Sequence, residues 1–268
     1  LEKKAKLIVV CSPVGGVGKT MLAVNLAVTM ATKGEKVSII DGDLQFGDVA
    51  MSLNMKPKET LRELAENDRA ENAAFYFAKH ESGLNVLPAP DRPEYAEIIT
   101  PAFFDETVLA LQDKSDLLII DTAAGLNELN LELMDKADKI IVVATPAMHV
   151  LKNTKLMLET LQALGLKEKL TLIVNRSSMS TAVKLSRIPD LTEMESVFYL
   201  PADEKHVNES MDTGIPLISK YPKLEVTKKL KELTDTFLEG SNPKHEKKNS
   251  LFHYMTKVIP GKLEGENR

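Results

Sequence analysis

Short apolar runs recur along the chain, each bounded by polar or glycine-rich stretches. Residues 6–11, Val37–Asp41, Leu117–Ile120, Lys139–Ala144, Leu170–Val174 and Val197–Leu200 read as strands, and Asn85–Leu87 as a shorter one. They are continuously apolar rather than alternating, the signature of strands covered on both faces. Between them the pattern turns helical. Over residues 18–33, Leu22, Leu26 and Met30 fall four apart on one face, and Gly34 stands where a helix C′ residue belongs. Residues 60–81 are helical in composition, another helix is expected over Glu94–Gln112, and the proline-rich Pro88–Pro93 predicts a rigid surface loop. Strands alternating with helices give an α/β class: a doubly wound, mostly parallel sheet with helices on both faces.

The 268 residues suffice for one large domain, expected over 1–240. The polar, lysine-rich stretch 241–249 then reads as a linker to an amphipathic tail. Leu251, Phe252, Met255, Val258 and Ile259 share one helical face there, among Lys247, Lys248, Lys257 and Lys262. Such a segment can lie on a membrane surface or dock in a partner's groove. A net charge of -5 counts against a dedicated DNA binder. One cysteine, Cys11, makes no intrachain disulfide, and its place in the first strand predicts a buried apolar role in a reducing, cytoplasmic setting. No run is long enough to span a bilayer. The chain opens at Leu1 without an initiator methionine, which is read as a fragment from which an N-terminal domain or tag is missing.

The chemistry concentrates where the first strand meets the first helix. Ser12-Pro13-Val14-Gly15-Gly16-Val17-Gly18-Lys19-Thr20 has the layout of a phosphate-binding P-loop, with Pro13 at a position where the general pattern asks for glycine. Gly15, Gly16, Val17 and Gly18 let backbone N–H groups wrap an anion, with Met21 following at the helix start. Lys19 supplies a cation for the β/γ-phosphates, and the Thr20 hydroxyl suits Mg²⁺. Asp121, ending an apolar strand, is the second metal candidate, and Asp121–Gly125 reads as a switch whose glycine approaches the γ-phosphate. Asp41-Gly42-Asp43 ends another strand, so Asp41 is assigned to the metal shell and Asp43 to the attacking water. No guanine motif of the Asn-Lys-x-Asp type appears, which favours adenine. Asn175, Arg176 and Pro201, after later strands, are the candidate base contacts. The expected ligands are therefore ATP and Mg²⁺.

Gly15–Thr20, Asp41–Asp43, Asp121–Gly125 and Asn175-Arg176 together resemble the MinD/ParA superfamily of deviant Walker ATPases over about residues 5–240. Asp43–Ala50 and Gly83–Pro90 resemble its CpaE/TadZ branch more narrowly. That resemblance implies a localisation ATPase acting as a nucleotide-linked homodimer, with pilus and secretion assembly proteins as partners. It places the protein in the cytoplasm, peripherally on the inner membrane face or at a pole, with 251–259 as membrane contact. A ParA-type DNA-partitioning ATPase, a MinD-like division or flagellar-site regulator, and a nucleotide-binding scaffold are the rival readings. A nitrogenase-type iron protein would need more cysteines than Cys11, and a tyrosine kinase of this superfamily would end in a tyrosine cluster, where the tail has only Tyr254.

At one position the chain departs from the superfamily. Val14 stands where those loops carry a signature lysine that reaches the partner's phosphates across a dimer. Valine cannot donate to phosphate, and trans-acting arginines in other nucleotide hydrolases contribute on the order of 10³–10⁵ in rate. Nucleotide binding with slow hydrolysis is the expectation.

Overall fold

The computed structural model describes residues 4–239 of the chain; the linker, the amphipathic tail and the boundary at 240 lie outside the described residues. The first strand, β1 (Lys6–Cys11), leads through the glycine-rich loop into α1 (Lys19–Thr32), which ends as expected with Gly34 in the left-handed region at φ +94°. Next come β2 (Val37–Gly42), α2 (Leu61–Glu66) and the short pair β3 (Ala78–Lys79) and β4 (Asn85–Leu87). The middle of the chain supplies α3 (Pro101–Gln112), β5 (Leu117–Thr122), α4 (Glu128–Lys136) and β6 (Lys139–Ala144). The last third adds α5 (Met148–Ala163), β7 (Leu170–Val174), α6 (Ile188–Thr192), β8 (Val197–Tyr199), α7 (Glu204–Thr213), α8 (Leu217–Lys220) and α9 (Glu225–Leu238).

The eight strands form one sheet in the order β3-β4-β2-β5-β1-β6-β7-β8, parallel except for the β3–β4 pair. The expected doubly wound α/β architecture is therefore present. β1 lies between β5 and β6, so the chain leaves it in one direction to build β2 and returns later to the other side. Such a switch of direction opens a crevice at the carboxyl ends of the strands. The register puts Asp121 beside both Val10 of β1 and Asp41 of β2. Every residue of β2 and β5 is buried, as their uninterrupted apolar sequences require.

α1 is buried along its length, from Met21 to Ala31, rather than on one stripe. α8 and α9 cover its outer side. Asn25, the polar residue in its middle, accepts from Ile218 N–H at 3.1 Å and donates to the Met21 carbonyl at 2.8 Å. Each large apolar side chain so enclosed contributes about 1.5–3 kcal/mol. That helix is thus held rigidly, and its first residues are the ones the site needs.

Three expectations are corrected. The helical composition of 60–81 is divided: α2 stops at Asn67, Asp68 turns left-handed at φ +48°, and a 3₁₀ segment spans Ala70–Tyr76 before β3. The helix expected over Glu94–Gln112 is a 3₁₀ stretch, Pro93–Ile98, and then α3 from Pro101. A residue before proline disfavours helical geometry, and Thr100 instead caps α3, accepting from Phe103 N–H at 3.2 Å. Finally, only the second half of Pro88–Pro93 is on the surface: Pro88, Ala89 and Pro90 are buried, with Ala89 packed against Gly47 of the segment that follows β2.

Candidate functional site

The phosphate loop joins the end of β1 to the N-terminus of α1. Gly16 and Gly18 take left-handed dihedrals, φ +73° and +97°, while Pro13 does not, so the missing glycine of the motif is not needed for backbone conformation. A Cβ on Gly15 or Gly16 would meet nothing within 4 Å, which leaves an open cradle in front of the helix. Lys19 and Thr20 open α1 there, both half-buried. Among the described residues no carboxylate lies within ion-pair distance of Lys19. Val14 is half-buried against the core, and its carbonyl accepts from the Ser12 hydroxyl at 2.7 Å.

Two buried carboxylates stand behind the cradle. Thr20 donates its hydroxyl to Asp121 Oδ2 at 2.6 Å, whereas Asp121 Oδ1 is buried without a hydrogen-bond partner. Asp41 lies alongside in register and accepts from Val49 N–H at 3.0 Å and Asp43 N–H at 3.3 Å. Burial pushes the Asp121 carboxyl up to about 7, the Thr20 hydroxyl and nearby Lys19 opposing that rise. Asp41 is pushed well above the usual carboxylate range, by burial and then by Asp121. Asp43 is half-exposed at the crevice and accepts weakly from Phe46 N–H at 3.3 Å. Two acidic groups held side by side out of water favour a bound cation over two free negative charges.

The candidate base contacts also come together. Gly18, Met21, Asn175, Arg176 and Pro201 line one small cavity of about 30 Å³, completed by Asp203, Glu204, Val207 and Asn208 of the β8–α7 turn and α7. Asn175 is 5% exposed and already engaged: Nδ2 donates to the Val17 carbonyl at 2.9 Å, and Oδ1 accepts from Arg176 N–H at 2.9 Å. It ties the phosphate loop to the end of β7, leaving one N–H and one lone pair for a base. A Cβ on Gly18 would sit 2.5 Å from Asn175 Nδ2, so this glycine is required twice, for its dihedral and for that approach. Cys11 is fully buried with its thiol pushed up to about 12, as a structural rather than nucleophilic residue requires.

A family model described as an AAA domain matches residues 5–174. The chain is 30% identical over 220 residues to the septum site-determining protein MinD of Synechocystis, covering 80% of this chain and 82% of that protein. The chain belongs to the MinD/ParA family of P-loop ATPases. It is also 27% identical over 256 residues to an uncharacterized ATP-binding protein of Methanocaldococcus jannaschii, across 95% of both chains. Its fold matches MinD of Pyrococcus horikoshii, solved as a complex with Mg-ADP, with a TM-score of 0.78, 25% identity and coverage of 88% of this chain and 98% of that one.

The MinD/ParA family implies magnesium, and the residues fit it. Asp121 offers a bare buried oxygen and Thr20 a hydroxyl beside it. Among the described residues no cluster of three or more His, Cys, Asp or Glu could cage a metal. Mg²⁺ is held by one or two protein oxygens together with nucleotide phosphates and water. Three residues were given no role at the site by the sequence reading of this MinD/ParA chain. Gly47 presses on the carboxylate of Asp41, and a Cβ there would also lie 2.5 Å from Ala89 Cβ. Asp48, raised by burial and by Asp43, adds to the negative field. Asn130 is fully buried on α4, and its one sequence signal is an amide set in an apolar stripe with Leu133 and Met134.

Proposed function

We propose that this chain binds ATP with Mg²⁺ and acts as a nucleotide-switched regulator of where a cellular assembly forms, working as a homodimer. The paired Thr20 and Asp121 oxygens behind an open glycine cradle carry the nucleotide half of this reading. Kinship to septum site-determining MinD proteins supports the spatial half. Gly15, Gly16, Val17, Gly18 and Lys19 hold the phosphates, and Thr20, Asp121 and Asp41 take the metal directly or through its water. Asp43 orients the attacking water, while Met21, Asn175, Arg176 and Pro201 receive the base. Bound magnesium supplies charge neutralisation at the β/γ-phosphates. With Val14 in place of the signature lysine, occupancy rather than turnover sets the state of the protein.

Division-site, partitioning and flagellar-site regulation all fit this description. The pilus-assembly reading rests on the wording of Asp43–Ala50 and Gly83–Pro90 alone, and the close approach of Gly47 to Asp41 accounts for one letter of it without any pilus. Nucleotide titration by calorimetry tests the first half. Micromolar Mg²⁺-dependent binding is expected for the native chain, and none for Lys19→Ala; binding retained by the variant sinks the assignment. Fluorescent fusions test the second half. Focal or polar localisation lost in Lys19→Ala supports spatial regulation, and a uniform distribution in both opposes it. Salt-sensitive, ATP-dependent DNA binding would select the partitioning reading, and loss of pili on deletion the pilus one.

A further inference from the structure

Asn130 sits in the first turn of α4 with no exposed surface, in line with Leu133 and Met134 on the buried side of the helix. A leucine would pack there without desolvating an amide, so the amide needs a reason. Its Nδ2 donates to two carbonyls, Ala123 at 3.0 Å and Gly125 at 2.9 Å, while its Oδ1 is buried without a partner. Exchanging the two ends of the amide would set oxygen against two carbonyl oxygens, so the orientation is fixed by the contacts themselves. The helix that carries it is anchored in turn: Asn127 caps α4, accepting from Asn130 N–H at 2.8 Å.

Those two carbonyls belong to the segment between Asp121 and α4 that the motif reads as a nucleotide switch. Gly125 is held at φ +91°, and its N–H donates to the Ser12 carbonyl at 2.9 Å. The Ser12 hydroxyl donates onward to the Val14 carbonyl at 2.7 Å. A continuous path of hydrogen bonds therefore runs from α4 through Asn130, Gly125 and Ser12 into the phosphate loop. Its consequence is that the N–H expected to meet a γ-phosphate is already occupied by the loop's own backbone.

We propose that Asn130 is a positioning residue that latches the Ala123–Gly125 segment onto the phosphate loop, and that a nucleoside triphosphate must displace this latch whereas a diphosphate need not. The proposal rests on the nucleotide-binding reading above. Gly125 can donate to Ser12 or to a phosphate, not to both, and Asn130 holds the neighbouring carbonyls in the shape that favours Ser12. Binding of a triphosphate is thus opposed by the latch, and ligands too short to reach Gly125 escape that opposition. Removing both donors destabilises the latched form alone.

The test uses two variants, Asn130→Ala and Asn130→Leu, neither of which can donate to the two carbonyls, the second also filling the space of the amide. Affinities for ADP and for a non-hydrolysable ATP analogue are measured with Mg²⁺, and amide exchange at Gly125 is followed in the nucleotide-free protein. Two hydrogen bonds released correspond to about tenfold in an equilibrium. The expected result is ADP affinity within about twofold of the native chain, analogue affinity higher by about tenfold, and Gly125 exchange faster by a similar factor. Equal weakening of both nucleotides would mean that Asn130 is merely structural. An unchanged affinity ratio, or unchanged exchange at Gly125, equally overturns the proposal. If the native chain bound neither nucleotide, the binding reading would fail, while the exchange measurement would still decide the latch. Should either variant fail to fold, the other and the exchange rate decide.

Discussion

Replacing Asp121 by asparagine removes one of the two buried carboxylates behind the phosphate loop. Asp121 is 1% exposed, has one oxygen without a partner and stands in register with Asp41. Burial lifts its carboxyl from 3.8 to about 7. At about 1.36 kcal/mol per pH decade, that gap corresponds to roughly 4 kcal/mol of penalty on the ionised form. The sign follows from which state keeps the proton. Between pH 4 and 7 the native chain holds a proton that the unfolded chain releases. The associated stability is complete below pH 4 and disappears as pH climbs through about 7. The neutral amide of Asp121→Asn escapes that loss, can still accept from Thr20, and relieves Asp41 as well. In EDTA at pH 8 the variant should be more stable than the native chain by about 2–4 kcal/mol, or roughly 5–10 °C in Tm for a domain of this size. At pH 4 the two should nearly coincide. Urea unfolding at both pH values reads this directly, and Mg²⁺-dependent nucleotide affinity should fall in the same variant. Equal stability at pH 8, or an unaltered pH slope, would refute a buried, uncompensated carboxylate.

Two other substitutions probe the loop. Val14→Lys supplies the cation that the resemblance to deviant Walker loops calls for, and steady-state ATPase should rise at least tenfold under conditions where the protein dimerises; no rise would refute the expectation that the missing cation limits turnover. Gly18→Ala places a Cβ 2.5 Å from Asn175 Nδ2 at φ +97°. It should cost about 1–2 kcal/mol in backbone strain plus about 1 kcal/mol for the displaced Asn175 bond, with nucleotide affinity falling at least tenfold; unfolding and binding curves matching the native chain would refute that packing.

Much of the site was legible because its residues are fixed by local chemistry. A strand, a glycine-rich turn and a helix N-terminus bind anions wherever they occur, so Gly15–Thr20 could be read without a fold. Asp41 and Asp121 were legible because a carboxylate ending an apolar strand must reach one edge of a parallel sheet. The misreadings came from elements whose shape depends on neighbours. Residues 60–81 have helical composition, yet Asp68 turns the chain and Tyr76 is drawn to Asn67, its hydroxyl accepting from Asn67 Nδ2 at 2.9 Å. The start of α3 at Pro101 was available in principle, since Thr100-Pro101 is both a cap and a helix-start signal.

By itself, then, the sequence determined the α/β class, the phosphate loop, the carboxylates and the substitution at Val14, because each follows from periodicity or from residue type at a given spacing. Only the tertiary structure decided what those groups do to one another. It put Asp121 beside Asp41 and left one of its oxygens bare, turned Asn175 toward the loop it ties down, and gave Gly125 to Ser12 through Asn130. Those outcomes depend on contacts between residues up to 158 positions apart, as with Asn175 and Val17. No local pattern encodes such contacts, because a hydrogen-bond partner is chosen by the packed geometry and not by the neighbours in the chain.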